Sequence, residues 1–258
     1  MRTMKSSENL RAYKNGRKIV SITAYDYFSA RYAAQAEVDF ILVGDSLGCV
    51  IKGEKDTKNV TIEEVAYHTR CVRKGAPHML IAADLPINTY RTKDDALKNS
   101  KILIQAGADL VKPEGYCHEV IECLIQNGFR VIGHLGFTAQ HFDSPRVLGK
   151  NNESYNEIIA HAKSLDSLGI EVLILECIVE SLAATLTKQV GALTIGIGAG
   201  AACDGQILVF HDVLGFDVGF KPRFLKKYRN MEKEMIDGIK EYRDEVINGE
   251  FPKKEYTY

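Results

Sequence analysis

The sequence predicts a single (β/α)8 TIM barrel followed by a C-terminal amphipathic helix. Three observations carry that expectation. Eight short apolar, β-branched runs recur along the chain, and stretches of helical period separate most of them. The length of 258 residues matches the roughly 250 of one such barrel. Residues 1–258 therefore read as one barrel domain, with 1–18 as an N-terminal segment and 231–247 as the terminal helix.

The runs are Ile19–Ala24, Phe40–Val43, Met79–Ala83, Leu110–Lys112, Arg130–Gly133, Val172–Leu175, Leu193–Ile197 and Ile207–Phe210. They are nearly continuous in apolar residues rather than alternating, as strands covered on both faces require. Between them, Thr61 and Glu64 form a Thr-x-x-Glu capping box ahead of Val65, a helix-start signature. Val120, Ile121, Leu124 and Ile125 share one helical face, as do Tyr155, Ile158, Ile159, Ala162 and Leu165. Gly75, Gly107, Gly128 and Gly169 each stand shortly before a run, where a glycine takes the left-handed conformation that ends a helix. Met235, Ile239, Tyr242 and Val246 repeat at helical spacing and define the terminal amphipathic helix. The eighth unit departs from the rhythm. Only Gly198–Gln206 separates the last two runs, too short for a crossover helix, so a doubly wound open sheet is the alternative architecture.

Lys and Arg number 33 and Asp and Glu 34, for a formal net charge of −1. That balance argues against a protein held mainly by the nucleic-acid backbone. No apolar run reaches the ~18 residues of a membrane span. Met1–Lys18 is polar and basic without an apolar core, unlike a secretory signal. The six cysteines form no Cys-x-x-Cys and no Cys/His cluster. They read as reduced thiols of a cytoplasmic protein rather than zinc ligands.

In a barrel, chemistry sits where strands end at their C-termini. There the sequence is acidic: Asp45 and Ser46 after the second run, Asp84 after the third, Lys112 and Glu114 at the fourth, His134 after the fifth, Glu176 after the sixth. Three carboxylates from consecutive strand ends, Asp45, Asp84 and Glu114, repel one another unless a cation lies between them. Oxygen ligands without thiolate or paired histidines point to Mg²⁺, which takes one or two carboxylates directly and reaches others through water. Lys112 suits a carboxylate or enolate. Gly196–Gly200 could cradle a phosphate through backbone N–H groups, or could give room for a tight turn.

These residues resemble one family. Ile22-Thr-Ala-Tyr-Asp26, Val43-Gly-Asp-Ser-Leu-Gly48, Ala83-Asp-Leu-Pro86, Gly133-His-Leu-Gly136, Leu175-Glu-Cys177 and Ile195-Gly-Ile-Gly-Ala-Gly200 with Asp204-Gly-Gln206 look like the ketopantoate hydroxymethyltransferases, a family of the phosphoenolpyruvate/pyruvate barrel superfamily. The resemblance implies transfer of a hydroxymethyl group from 5,10-methylenetetrahydrofolate to 3-methyl-2-oxobutanoate, giving 2-dehydropantoate for pantothenate biosynthesis. It implies Mg²⁺ on Asp45, Asp84 and Glu114, and oxo-acid contacts from Asp45, Ser46, Asp84 and Lys112. It also implies Glu176 as the proton acceptor, His134 at the pocket wall and a homo-oligomer, often a decamer. Three segments depart from the family pattern: Thr57-Lys-Asn-Val-Thr61, Lys112-Pro-Glu-Gly-Tyr116 and the shortened Asp143–Lys150 with Arg146. All three lie in strand-end loops. A diverged Mg²⁺-dependent aldol-type enzyme for another 2-oxo acid is the enzymatic alternative, and a barrel that only binds ligand is the non-enzymatic one.

Overall fold

The computed structural model describes residues 8–142, 144, 146–216, 219 and 222–258. By chain contacts it divides into two units, 1–209 and 210–258.

The first unit is the barrel. Its strands are β1 (Ile19–Thr23), β2 (Phe40–Val43), β3 (Leu80–Asp84), β4 (Leu110–Lys112), β5 (Ile132–Gly136), β6 (Val172–Glu176), β7 (Leu193–Ile197) and β8 (Gly205–Leu208). All pair in parallel in the order β4-β3-β2-β1-β8-β7-β6-β5. The ring closes between β4 and β5 through one parallel bridge, Val111 to Val131, with Val111 N donating to Arg130 O at 3.1 Å. Pairing of the first strand with the last rules out the doubly wound sheet. β7 and β8 are joined without a helix by residues 198–204, and their register pairs Ile195 with Gly205. The last run is shifted accordingly: the strand begins at Gly205, and Phe210 already opens a helix.

Strand side chains alternate between two apolar clusters. Phe40, Leu42, Leu80, Leu110, Ile132, Ile174 and Ile195 fill the barrel interior. Ile41, Val43, Ile81, Val111, Leu173 and Leu175 face the helices. Two apolar faces are why the runs read as continuous. The covering helices are α1 (Tyr27–Gln35), the short α2 (Leu47–Val50), α3 (Ile62–Gly75), α4 (Lys93–Ala106), α5 (His118–Gln126), α6 (Asn152–Leu168) and α7 (Glu180–Gln189).

The Thr61–Glu64 capping box forms reciprocally, and Gly107, Gly128 and Gly169 take positive φ at or just past helix ends. Gly75 does not. It is the last residue of α3, and a Cβ there would lie 2.2 Å from Tyr27 O. Its job is close approach of α3 to α1. At the N-terminal mouth, the turn Leu10–Tyr13 buries Leu10 against the interior cluster.

In the second unit, α8 (Phe210–Leu214) precedes α9 (Met231–Ile247). The stripe Met235, Ile239, Tyr242 and Val246 on α9 is exposed. Among the described residues, no helix is long and apolar enough to cross a membrane.

Candidate active site

Every barrel residue singled out from the sequence reaches the C-terminal strand ends. Several lie inside strands rather than after them. Asp84, Lys112 and Glu176 are the last residues of β3, β4 and β6, and His134 is the third of β5. Register places Asp84 beside Lys112. Together with Asp45, Ser46 and Glu114 they line an inner cavity of about 130 Å³. Leu42, Ile174, Ile197 and Ile207 form its apolar floor and sides.

The cavity is short of positive charge. Lys112, only 4% exposed, places Nζ 3.0 Å from Asp84 Oδ1. Burial alone would lower the Lys112 pKa, but Asp84, Glu114 and Asp45 hold it up, so the ammonium persists. Asp45 is pushed well above the ordinary carboxylate range by burial and by repulsion from Asp84 and Glu114. Burial also raises Glu114 against the lowering effect of His134 and Lys112. One lysine therefore faces four carboxylates, a charge pattern that favours a cation.

Hydrogen bonds decide which oxygens remain available. Asp84 Oδ2 accepts from Asp45 N at 3.0 Å. Asp84 Oδ1 is buried with no aligned hydrogen bond besides the Lys112 ion pair. Asp45 Oδ2 accepts from Gln140 Nε2 at 2.8 Å. Both oxygens of Glu114 are engaged, Oε1 by Ala139 N at 3.0 Å and Oε2 by Gln140 N at 2.9 Å. Among the described residues no three His, Cys, Asp or Glu side chains close on one point as a metal cluster. Asp45 and Asp84, with Glu114 beside them, offer oxygen donors of the kind a hard cation such as Mg²⁺ takes.

His134 and Glu176 form the other side. Burial and the Lys112 charge push His134 down to about 4, so it is neutral. Its Nδ1 lies 3.4 Å from Lys112 Nζ and its Nε2 3.2 Å from Glu176 Oε2. Nδ1 also lies 3.4 Å from Glu114 Oε1; because an ammonium donates only, the Lys112 contact favours the tautomer with the ring proton on Nε2, toward Glu176. Burial, opposed by Lys112, raises Glu176 to about 7, the range of a general base working near neutrality. Gly136 lets β5 pass this close to β6: φ is +107°, and a Cβ would lie 2.0 Å from Glu176 O.

Four residues at the site escape a reading of the sequence. Tyr25, fully buried after β1, hydrogen-bonds through its hydroxyl to Ser46 Oγ at 2.7 Å. Thr57 Oγ1 is buried at the cavity wall without a hydrogen bond. Tyr90 OH donates to Gln140 Oε1 at 2.5 Å and accepts from Glu114 N at 3.2 Å. Gln140 then has only its amide N–H groups left for Asp45 and for Leu85 O. The one local signal was membership in the family-like segments, Tyr25 in Ile22–Asp26 and Thr57 in the departing Thr57–Thr61.

Gly196–Gly200 is closely packed. The Glu180 side chain packs on Gly200, and Gln206 Nε2 donates to Gly200 O at 2.9 Å. The glycines admit close packing at the helix-free β7–β8 connection. In the shortened loop, Asp143 and Pro145 lie outside the described residues. Arg146 stacks over the Phe142 ring at 4.1 Å.

A family model described as ketopantoate hydroxymethyltransferase matches residues 4–254. A curated relative from Shewanella denitrificans is 45% identical, covering 100% of this chain and 99% of its own. One from Shewanella sp. (strain MR-7) is 43% identical over the full length of both chains. Both carry the name 3-methyl-2-oxobutanoate hydroxymethyltransferase. Among solved structures, 2,3-dimethylmalate lyase superposes with a TM-score of 0.64 at 16% identity, over 99% of this chain and 93% of that one. Its title places it in the PEP mutase/isocitrate lyase superfamily, and at that identity the likeness speaks for the barrel alone. With relatives of this identity and coverage, the barrel and its acidic strand-end cavity are those of an enzyme that transfers a one-carbon unit. The chain belongs to the ketopantoate hydroxymethyltransferase family.

Proposed function

We propose that the chain transfers a hydroxymethyl group from 5,10-methylenetetrahydrofolate to 3-methyl-2-oxobutanoate, giving 2-dehydropantoate for pantothenate biosynthesis. The observation that carries this reading is one small cavity joining a metal-type carboxylate pair, a buried ammonium and a carboxylate raised to about 7. Its chemistry suits removal of a proton next to a 2-oxo acid. The curated relatives named above support the choice of substrate.

Asp45 and Asp84 would hold Mg²⁺, with Glu114 supporting it through water. The ion would polarise the 2-oxo group and the carboxylate of the substrate. The branched end of the oxo acid suits the apolar side formed by Ile174 and Ile197. Ser46, backed by Tyr25, supplies a hydroxyl at the rim. Glu176 takes the proton from C3. Lys112 stabilises the negative charge that develops on the oxo oxygen, and the neutral His134 holds Nε2–H toward Glu176. Water displaces the two folate nitrogens from the donor's methylene carbon, its two protons passing to those nitrogens, which leaves the carbon as a carbonyl at the formaldehyde level; C3 then bonds that carbon, and its oxygen takes the proton that Glu176 had removed. The folate leaves as tetrahydrofolate. The exposed apolar stripe of α9 supports a homo-oligomer as the working form.

Exchange of the C3 proton of 3-methyl-2-oxobutanoate in deuterated water tests the reading. We expect exchange with Mg²⁺ and without folate, and product only when the donor is added. Absence of exchange under any divalent metal would overturn the assignment of this oxo acid.

A further inference from the structure

The inner cavity, about 130 Å³, has room for a small oxo acid and not for a folate. A second cavity of about 600 Å³ opens at the same end of the barrel, between the loops that follow β3, β4 and β5. The two share Glu114 as a common wall. We propose that this outer cavity is the donor site and takes a flat heteroaromatic ring system with a carboxylate tail, the chemistry of a reduced folate. The inference rests on the proposed reaction, since it supposes that a carbanion formed in the inner cavity awaits a donor too large to enter it.

Size, shape and charge each point to that occupant. The volume lies within the ~300–1,000 Å³ of small-molecule sites. Ile87, Tyr90 and Val120 give it an apolar surface fit for a planar ring. Tyr116 is a rigid side wall. Its ring stacks on His161 at 3.8 Å and 7° between planes, and its hydroxyl bonds Ser164 Oγ at 3.0 Å. Its place in the chain is also where the sequence departs from the family pattern. Positive charge comes from Arg91, which lines the cavity and is steadied by Asn88 Oδ1 at 2.9 Å. It comes also from the N-terminus of α5, whose N-cap Cys117 lines the cavity and makes no side-chain cap. An uncapped helix start and a guanidinium favour a carboxylate. The one acid on the wall, Glu114, has its oxygens turned to the backbone of Ala139 and Gln140.

The chain contains no tryptophan, so a single introduced one reports its own surroundings. Tyr116→Trp places it at the outer cavity. Phe129→Trp places it in a groove with Asp109 and Arg130 at the opposite, N-terminal end of the strands. Titration with tetrahydrofolate is expected to quench the first saturably and the second no more than free tryptophan. By calorimetry, Arg91→Glu is expected to weaken tetrahydrofolate binding about tenfold or more, a larger change than in its oxo-acid affinity. Equal quenching of both reporters, or wild-type tetrahydrofolate affinity in Arg91→Glu, would overturn the proposal. A wild-type enzyme that binds tetrahydrofolate here yet fails to exchange the C3 proton would instead overturn the reaction and leave the cavity assignment standing.

Discussion

At the scale of single residues, hydrogen bonds decide which polar atoms of the site remain available. Asp84 is the residue whose free oxygen matters most, because Oδ1 is buried without an aligned hydrogen bond. Asp84→Ala is expected to abolish Mg²⁺-dependent binding of the oxo acid, measured by calorimetry; unchanged binding would remove Asp84 from the ligand set. Gln140 acts more indirectly. Tyr90 occupies its amide oxygen, so its N–H must face Asp45. Tyr90→Phe lets the amide turn and present oxygen to Asp45, and we expect Mg²⁺ affinity to fall several-fold. The expected signature is a larger loss in metal affinity than in thermal stability. As the proposed base, Glu176 should set the pH response. A base with a pKa of about 7 is half protonated there and active only when ionised. C3 exchange should therefore rise tenfold per pH unit below about 6 and level off above about 8. Glu176→Gln should cut exchange by roughly 10²-fold or more while sparing oxo-acid binding. A pH profile flat from 5 to 8 would move the role to another group. Asp45, Asp84, Lys112 and Glu176 were legible in the sequence because each sits beside an apolar run. Tyr90 and Gln140 were not, since Tyr90 meets Gln140 across 50 positions of chain and Gln140 meets Asp45 across 95.

At the scale of elements, acids recur at the N-terminal end of the barrel as well. Asp39, Asp109, Glu171 and Asp204 immediately precede β2, β4, β6 and β8. Each accepts a backbone N–H: from Val20, Ile81, Leu10 and Thr194 respectively. Each also pairs with a cation: Arg17, Arg73, Arg130 and Lys14. The carboxylates thus cap strand starts and seal the mouth that Leu10 plugs. The sequence has an acid directly before the second, fourth and sixth runs and three positions before the eighth, but the meaning of the pattern depends on the ring closing. Helix starts were easier to read, because the Thr61 capping box is complete within four residues. The β7–β8 link was hardest. Nothing local says that two neighbouring strands of a barrel can be joined without a helix. Asp39 is nearly buried, and its removal leaves Val20 N and Arg17 unpartnered by it. Asp39→Ala should destabilise by about 3 kcal/mol, or roughly 6–12 °C in Tm for a chain of this size. The pH profile of C3 exchange should keep its midpoint, as the lesion lies at the far end of the strands. A shift of less than 2 °C would mean that the pair contributes no more than a surface salt bridge.

At the scale of the whole molecule, the site and the fold pull against each other. Asp45, Glu114 and Glu176 all have pKa values raised above those of an unfolded chain. At these three carboxylates the folded state therefore holds more protons than the unfolded one between the two sets of values, partly offset below about 6.5 by His134, whose lowered pKa makes it lose a proton on folding. Stability then falls as pH rises through that window, from about 4.5 toward the folded values, and levels off beyond them. This is opposite to the usual carboxylate, whose paired and lowered pKa makes a protein more stable as pH rises. Without a divalent ion the enzyme should accordingly have a higher Tm at pH 6 than at pH 8. If Asp45 and Asp84 hold Mg²⁺ as proposed, the ion binds only the folded, ionised site and should recover the difference. At a hundredfold excess over Kd the gain is about 2.7 kcal/mol, or roughly 5–10 °C. Asp45→Asn separates the two effects. It keeps an oxygen for Gln140 Nε2 and leaves the Lys112–Asp84 pair in place, but removes one buried negative charge. The variant should melt higher than wild type at pH 8 without metal, and Mg²⁺ should move its Tm little. That combination, gained stability with lost metal response, is what a site kept for function at the expense of the fold produces. If Asp45→Asn instead melted lower than wild type and still responded to Mg²⁺, the carboxylate would be a structural member of the barrel and not a strained ligand.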